Sequence, residues 1–316
     1  MKTVAFLTRV LCSLLVGATA VVAGDEPALS RAALAGELAS VEQLLSAGAD
    51  VNGRNEIGMT ALMYAAEAGR DEVVDLLLSR GAFVDAQTSS GCTALTFAAE
   101  GNQASVVQKL IEHRADPAIR TRAGEDALIM AARAGAADAV ARLLAAGAPV
   151  DAADRHGRTA LMAAAGAGQA EVVTSLLVAG SRSDASDHNG ASALMFAAEH
   201  GHVAVIAALV RAGAGLEQHD LEGATALLWA AETGQVAAVQ ALLESGSAVD
   251  AHNNEGWTAL FEAAHGGHLA VVEQLLAAGA DPHVADTAGM TAADYAQRRG
   301  HLAIANTILN TPARAR

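Results

Sequence analysis

The chain has 316 residues, 52% of them apolar but only 3% aromatic, and 79 are alanine. Its length suggests two domains, but a conventional pair of globules would need bulkier core residues; this composition predicts a thin, repeated core of closely packed helices. The formal charge is −15, with Lys2 and Lys109 the only lysines, so no basic stripe is available for a phosphate backbone and nucleic acid is excluded as a partner.

Lys2 and Arg9 precede an acid-free apolar run from Val10 to Ala23, shorter than the roughly 20 residues that span a bilayer. The run ends in Ala18-Thr19-Ala20 and Val21-Val22-Ala23, both small-x-small sites, before Gly24-Asp25-Glu26-Pro27 breaks the pattern. Residues 1–23 therefore read as a secretory signal peptide cut after Ala23, with Ala20 and a retained N-terminal anchor as alternatives. The expectation is an exported protein, periplasmic or secreted, with a net charge of −17 once Lys2 and Arg9 are removed and no membrane span.

From residue 24 the chain repeats one unit nine times. Gly58-Met-Thr-Ala-Leu62 returns as Gly91-Cys-Thr-Ala-Leu95, Gly124-Glu-Asp-Ala-Leu128, Gly157-Arg-Thr-Ala-Leu161, Gly190-Ala-Ser-Ala-Leu194, Gly223-Ala-Thr-Ala-Leu227, Gly256-Trp-Thr-Ala-Leu260 and Gly289-Met-Thr-Ala-Ala293, always 33 residues on. The units run 24–54, 55–87, 88–120, 121–153, 154–186, 187–219, 220–252, 253–285 and 286–312, with 313–316 as a tail. Two residues after each signature glycine stands Thr, Ser or Asp, an N-cap for an inner helix. An Ala-Ala pair follows, small enough for neighbouring units to approach. A second glycine series, from Gly36 to Gly300 with Asn102 in one place, ends that helix in a left-handed turn. An outer helix with pairs such as Val73-Val74 and Leu77-Leu78 then runs to a third glycine (Gly48, Gly81, Gly147, Gly180, Gly213, Gly246, Gly279). Arg114 stands where the third unit should carry that glycine, so strain or a shifted turn is expected there. Polar Asp294, Asn306, Thr307 and Asn310 mark the last unit as a cap.

On these residues the chain resembles the ankyrin repeat over residues 24–312. The family signature G-x-T-P-L-H-x-A-A appears here as G-x-T-A-L-x-x-A-A, and the lost Pro gives up some rigidity at the first helical turn. The resemblance implies an all-α solenoid of about nine helix-turn-helix units with short β-hairpin fingers. It also implies a module that binds proteins through those fingers and the concave inner-helix face.

Catalysis finds no support in the sequence, because no serine, cysteine or acid departs from the repeat to build a polar constellation. No cofactor or metal site is expected. His202, His268 and His301 follow mid-repeat glycines and read as structural. His156, His188, His219 and His252 lie in consecutive fingers, but at three different places, and offer only an alternative as a metal or small-ligand buffer. Cys92, next to a signature glycine, is expected to be exposed at a finger base.

Charge points to a surface. Units 220–252 and 253–285 carry −5 and −4, and Ala212 to Gln297 contains neither Lys nor Arg. Nine residues after the signature glycines come Glu67, Glu100, Arg133, Gly166, Glu199, Glu232, His265 and Arg298, places where ankyrin partners usually touch. Six residues after come Tyr64, Phe97, Met130, Ala163, Phe196, Trp229, Glu262 and Tyr295, which read as half-buried core. Trp257, immediately after its glycine, is expected to be an exposed anchor. The expected partner-binding set is Trp257 and Glu232 with His265, Phe261 and Glu222, extended by Trp229, Glu199, Glu100, Glu67 and Arg133. The partner is a protein with a basic patch, bound by a monomer. A secreted effector acting on a host protein is the alternative.

Overall fold

The computed structural model describes residues 27–312, so the leader at 1–23 and the tail at 313–316 lie outside the described residues. Within them are eighteen helices in two compact units that divide between Arg155 and His156. The first unit holds α1 (Ala28–Ala35), α2 (Leu38–Ser46), α3 (Ala61–Glu67), α4 (Asp71–Ser79), α5 (Ala94–Glu100), α6 (Ala104–Glu112), α7 (Ala127–Ala134) and α8 (Ala137–Ala145). The second opens with α9 (Ala160–Gly166), α10 (Ala170–Val178), α11 (Ala193–Glu199), α12 (Val203–Arg211) and α13 (Ala226–Glu232). It continues with α14 (Val236–Glu244), α15 (Ala259–Gly266), α16 (Leu269–Ala277), α17 (Ala292–Arg299) and α18 (Leu302–Leu309).

Odd-numbered helices are the inner ones and even-numbered the outer ones. Within each unit an inner helix packs on its own outer helix and on the inner helix of the next repeat. The alanine pairs make this possible: Ala65, Ala66, Ala98, Ala99, Ala197, Ala198, Ala263 and Ala264 are fully buried. With no side chain beyond Cβ, they let backbones approach closely. Bulk comes from the outer helices, where Val74, Leu77, Val107, Leu110, Val272 and Leu275 lose all exposure. Each such Leu or Val contributes on the order of 1.5–3 kcal/mol of transfer free energy.

The three glycine series account for every left-handed residue among those described. The 23 glycines with positive φ belong to them, and the two exceptions, Asn102 (φ 53°) and Arg114 (φ 66°), occupy glycine places in the third repeat. Asn102 has a compensating contact, since its Oδ1 accepts the Ala139 N–H at 3.1 Å. Arg114 keeps the turn in register, as the Arg114 N–H still reaches the Ile111 carbonyl at 2.8 Å. The expected strain is therefore present, without a shift of the turn.

Two local expectations need correcting. The cap residues Thr60, Thr93, Asp126, Thr159, Ser192 and Thr291 accept the N–H three residues on, but Thr225 and Thr258 make no such side-chain bond. The fingers, expected as β-hairpins, are turns and form no sheet among the described residues. Only isolated bridges occur, at Arg54–Thr60, Ser186–Ser192, His252–Thr258 and Ala285–Thr291. Across a finger one amide bonds the carbonyl four residues on, as from Asp220 to Ala224 (3.0 Å), while others bond a side chain at the base of the turn or the neighbouring fingertip, so no ladder of several rungs forms.

Candidate functional site

A polar residue three places before each signature glycine organises the finger. Asp220 Oδ1 accepts the N–H groups of Glu222 (2.9 Å) and Ala224 (2.8 Å). Asn55, Asp187, Asn253 and Asp286 each accept two amides in the same way. Fingertips are then linked in series. The carbonyl just before a signature glycine accepts an N–H from the next finger, as in Ser89 to Ile57 (2.8 Å), Arg122 to Ser90 (2.7 Å), Leu221 to Asn189 (2.9 Å) and Asn254 to Glu222 (2.9 Å).

The second side-chain atom of the polar residue reaches the inner helix nine residues on. Asn55 Nδ2 donates to the Tyr64 hydroxyl at 3.0 Å, Trp229 Nε1 donates to Asp220 Oδ2 at 3.0 Å, and the Tyr295 hydroxyl donates to Asp286 Oδ2 at 2.7 Å. The Asp286 carboxylate is held below the usual carboxylate range, chiefly by the Tyr295 hydroxyl and to a smaller degree by Trp257. Phe196 has no donor to offer, and Asp187 Oδ2 is buried without a hydrogen bond, 3.7 Å from Arg158 Nε. This arrangement was not recognised in the sequence, although the polar column recurs every 33 residues.

These bonds fix an aromatic patch in the second unit. Trp257 lies 4.7 Å from Tyr295, 5.3 Å from His265 and 6.1 Å from Phe261, between ring centroids. Trp229 meets Phe196 edge-on at 5.8 Å. Arg299 donates through Nε (2.8 Å) and a second guanidinium nitrogen to His265 Nε2. Burial, then the Arg299 guanidinium and His301, lower the His265 pKa, so its ring is neutral at pH 7.

The expected site residues divide accordingly. Glu222 and Glu232 are exposed, while Trp257, Trp229, His265, Glu199, Glu100, Glu67 and Arg133 are half-buried. Phe261 is 1% exposed and supports Trp257 from behind, so it leaves the contact surface. Trp257 is less exposed than expected, and Cys92 is fully buried with its Sγ 3.3 Å from Ser90 Oγ. Both corrections have one cause: after the left-handed glycine, the next side chain turns inward. Met59, Ala191 and Ala224 in the same column are buried too. Tyr295, Asp286 and Arg299 join the patch, and the sequence reading had not included them.

In the first unit Glu67, Glu100 and Arg133 follow one another in register. Arg133 pairs with Glu125 and lies 3.9 Å from Glu100. Burial, and then the Glu100 carboxylate, push Glu67 up to about 7. Structural histidines behave as expected: His202 and His268 face the Gly166 and Glu232 carbonyls of the preceding repeat at 3.1 and 3.0 Å. His219 turns Nδ1 to the Gly223 carbonyl at 2.8 Å. Among the described residues no three His, Cys, Asp or Glu gather so as to hold a metal ion, and no helix is long and apolar enough to cross a membrane.

A family model described as ankyrin repeats (3 copies) matches residues 29–121, 102–187, 161–253 and 238–315. Among solved structures, the chain is similar to the human ASB11 ankyrin repeat domain, with a TM-score of 0.66 and 26% identity. That match covers 71% of this chain and 99% of the other. No curated protein matches the chain in sequence. Ankyrin repeats generally mediate protein–protein interaction, typically without catalysis of their own. With the repeat model spanning almost every described residue, and with the caps, left-handed glycines and paired helices all in its register, the chain belongs to the ankyrin-repeat family.

Proposed function

We propose that this chain is a non-catalytic, monomeric binding module that acts outside the cytoplasm and holds a protein carrying a basic patch. The surface runs over residues 220–285 and their inner-helix neighbours, with Trp257 and Trp229 as rigid anchors and Glu222, Glu232 and Glu199 as its acidic surround. The observation that carries this reading is a coincidence of position. Both tryptophans, Trp229 bonded to Asp220 and Trp257 packed on Tyr295, His265 and Phe261, lie in the stretch from Ala212 to Gln297, which has twelve acids and no Lys or Arg. Ordered aromatic rings supply contact area at low entropic cost, and a surface of one sign steers a partner of the other. Export rests on the apolar run from Val10 to Ala23.

The test is capture of partners from extracytoplasmic extract with the natural chain and with Trp257→Ala combined with Glu232→Lys. Specific capture is expected to fall at least tenfold, and unchanged capture would remove this surface from consideration. Mass spectrometry of the protein recovered from that fraction is expected to find an N-terminus at Gly24; an intact Met1 would overturn cleavage.

A further inference from the structure

His265 is the member of the aromatic patch whose side chain ordinarily changes charge near neutral pH. Its ring is half-buried and meets Trp257 at 5.3 Å and Tyr295 at 6.2 Å between centroids, both edge-on. Arg299, one repeat on, points two guanidinium nitrogens at Nε2, at 2.8 and 2.6 Å. A guanidinium only donates, so Nε2 is the bare, accepting nitrogen and the ring proton sits on Nδ1. His202 and His268 are built the other way. Each turns Nε2 to a backbone carbonyl, at 3.1 and 3.0 Å, a contact that a protonated ring still makes. At His265 a second proton lands where Arg299 already donates and sets two cations within hydrogen-bond distance. Arg299 is exposed, so its guanidinium is the group that leaves, while Trp257 and Tyr295 hold the imidazolium through their π-systems.

The elements packed on α15 supply the other charges. Exposed Glu232 ends α13, Glu262 lies on α15 itself, and α16 carries exposed Glu273 behind His268. Arg298 and Asp294 accompany Tyr295 and Arg299 on α17, and His301 precedes α18. Hydrogen bonds hold two of these acids below the usual carboxylate range: the Tyr295 hydroxyl for Asp286, and the Thr291 amide and hydroxyl for Asp294. Tyr295 is pushed up by the Asp286 carboxylate, so none of the three changes charge between pH 8 and 5. Burial, then the Arg299 guanidinium, place the titration of His265 below the ordinary value of 6.5.

We propose that the His265–Arg299 pair is an acid-sensitive latch on the binding surface, closed at neutral pH and opened on acidification, so that a basic partner is held in the first state and released in the second. This rests on the reading of 220–285 as the binding surface and adds its regulation. The sign follows from charge. A neutral ring leaves Glu232 to meet the partner's cations, whereas an imidazolium beside Trp257 repels them. Binding is full above the titration of His265 and weakens as pH falls through it.

The first readout needs no partner. In the full chain carrying Trp229→Phe, indole emission comes from Trp257 alone, and an imidazolium in contact with an indole quenches it. Acidification from pH 8 to 5 is expected to quench this emission in a step centred below 6.5. Arg299→Gln, which removes the opposing cation, should raise the midpoint; His301→Gln should keep the step and His265→Gln abolish it. The natural chain should show the same step at smaller amplitude, and ellipticity checks that every chain is folded at both ends of the titration. The second readout is a basic probe. Hexa-lysine at physiological salt is expected to bind about fivefold more weakly at pH 5 than at pH 7.5, a difference that His265→Gln should shrink to under about twofold. No step, a step that survives His265→Gln, or a pH dependence of hexa-lysine binding that His265→Gln leaves unchanged would overturn the latch. If capture at neutral pH depends on Trp257 and Glu232 but no His265-dependent step appears, the surface stands and the latch falls. If the step appears while capture ignores Trp257 and Glu232, the surface reading fails and takes the release with it.

Discussion

Glu67 ends α3 half-buried, with Glu100 one repeat further on in the same register, and its carboxyl titrates near 7 because burial and then that second acid oppose its charge. A carboxyl raised in the folded state holds its proton more tightly there than in the unfolded chain. Stability therefore falls as pH climbs from about 4.5 to about 7, and the loss is complete above that range. Glu67→Gln removes the cost. After discounting for solvent at a part-exposed site, the variant is expected to gain about 1 kcal/mol over the natural chain at pH 8 and almost nothing at pH 4. Urea midpoints at the two pH values check this, and a gain of the same size at pH 4 would show that ionisation is not the cause. The sequence placed Glu67 in the right column but could not reveal its protonation, which depends on how far the neighbouring repeat covers it. Cys92 and Trp257 were misjudged for a similar reason, because their column faces inward only once the left-handed glycine has turned the chain.

At the level of elements, helices, caps and turns were legible because each is written in residues three to five places apart, and the 33-residue step repeats the message. The finger was less legible. Its structure depends on Asp187, Asp220 and Asp286 bonding their own turn and on amides reaching the next fingertip, neither of which is a short-range pattern. Two glycines separate these influences. Gly180 (φ 93°) has nothing within 4 Å of where a Cβ would stand, so Gly180→Ala costs only the left-handed strain, about 1–2 kcal/mol. Gly190 (φ 80°) would place a Cβ 2.9 Å from Asp220 Cα and 2.9 Å from the Leu221 nitrogen, the N–H that bonds Asn189. Backbone cannot swing aside as a side chain can, so Gly190→Ala adds an overpacking cost of about 1–3 kcal/mol. The expected order, Gly190→Ala well below Gly180→Ala in thermal midpoint, is checked by calorimetry. Equal midpoints would mean that the finger yields freely.

Across the molecule, each helix pair is stabilised by its immediate neighbours, so stability within a unit approximates a sum of repeat and nearest-neighbour terms. The charge pattern and the aromatic patch share this one-dimensional logic, which is why length alone suggested two domains and periodicity corrected it. Partner identity has no such periodic signature and depends on the few places where columns break their own rule, such as Glu262 in a column that otherwise carries Tyr, Phe, Met, Ala and Trp. The same logic predicts how the second unit opens. The last pair, α17 and α18, has a neighbour on one side only among the described residues, and α18 leaves Leu302 63% and Leu309 58% exposed. Fraying should therefore start there and withdraw Tyr295 and Asp286 from Trp257, while Trp229 keeps its bond to Asp220 in its own repeat. In urea, the Trp229→Phe chain, reporting from Trp257, is expected to shift its emission about 0.5 M before helical ellipticity is lost, given slopes of a few kcal/mol per molar. The Trp257→Phe chain, reporting from Trp229, should follow ellipticity. Each reporter is compared with the ellipticity of its own variant, so any loss of stability from the substitution cancels. Coincident transitions in both chains would show that the second unit melts as one cooperative block and that its final repeat is coupled more tightly than a single interface allows.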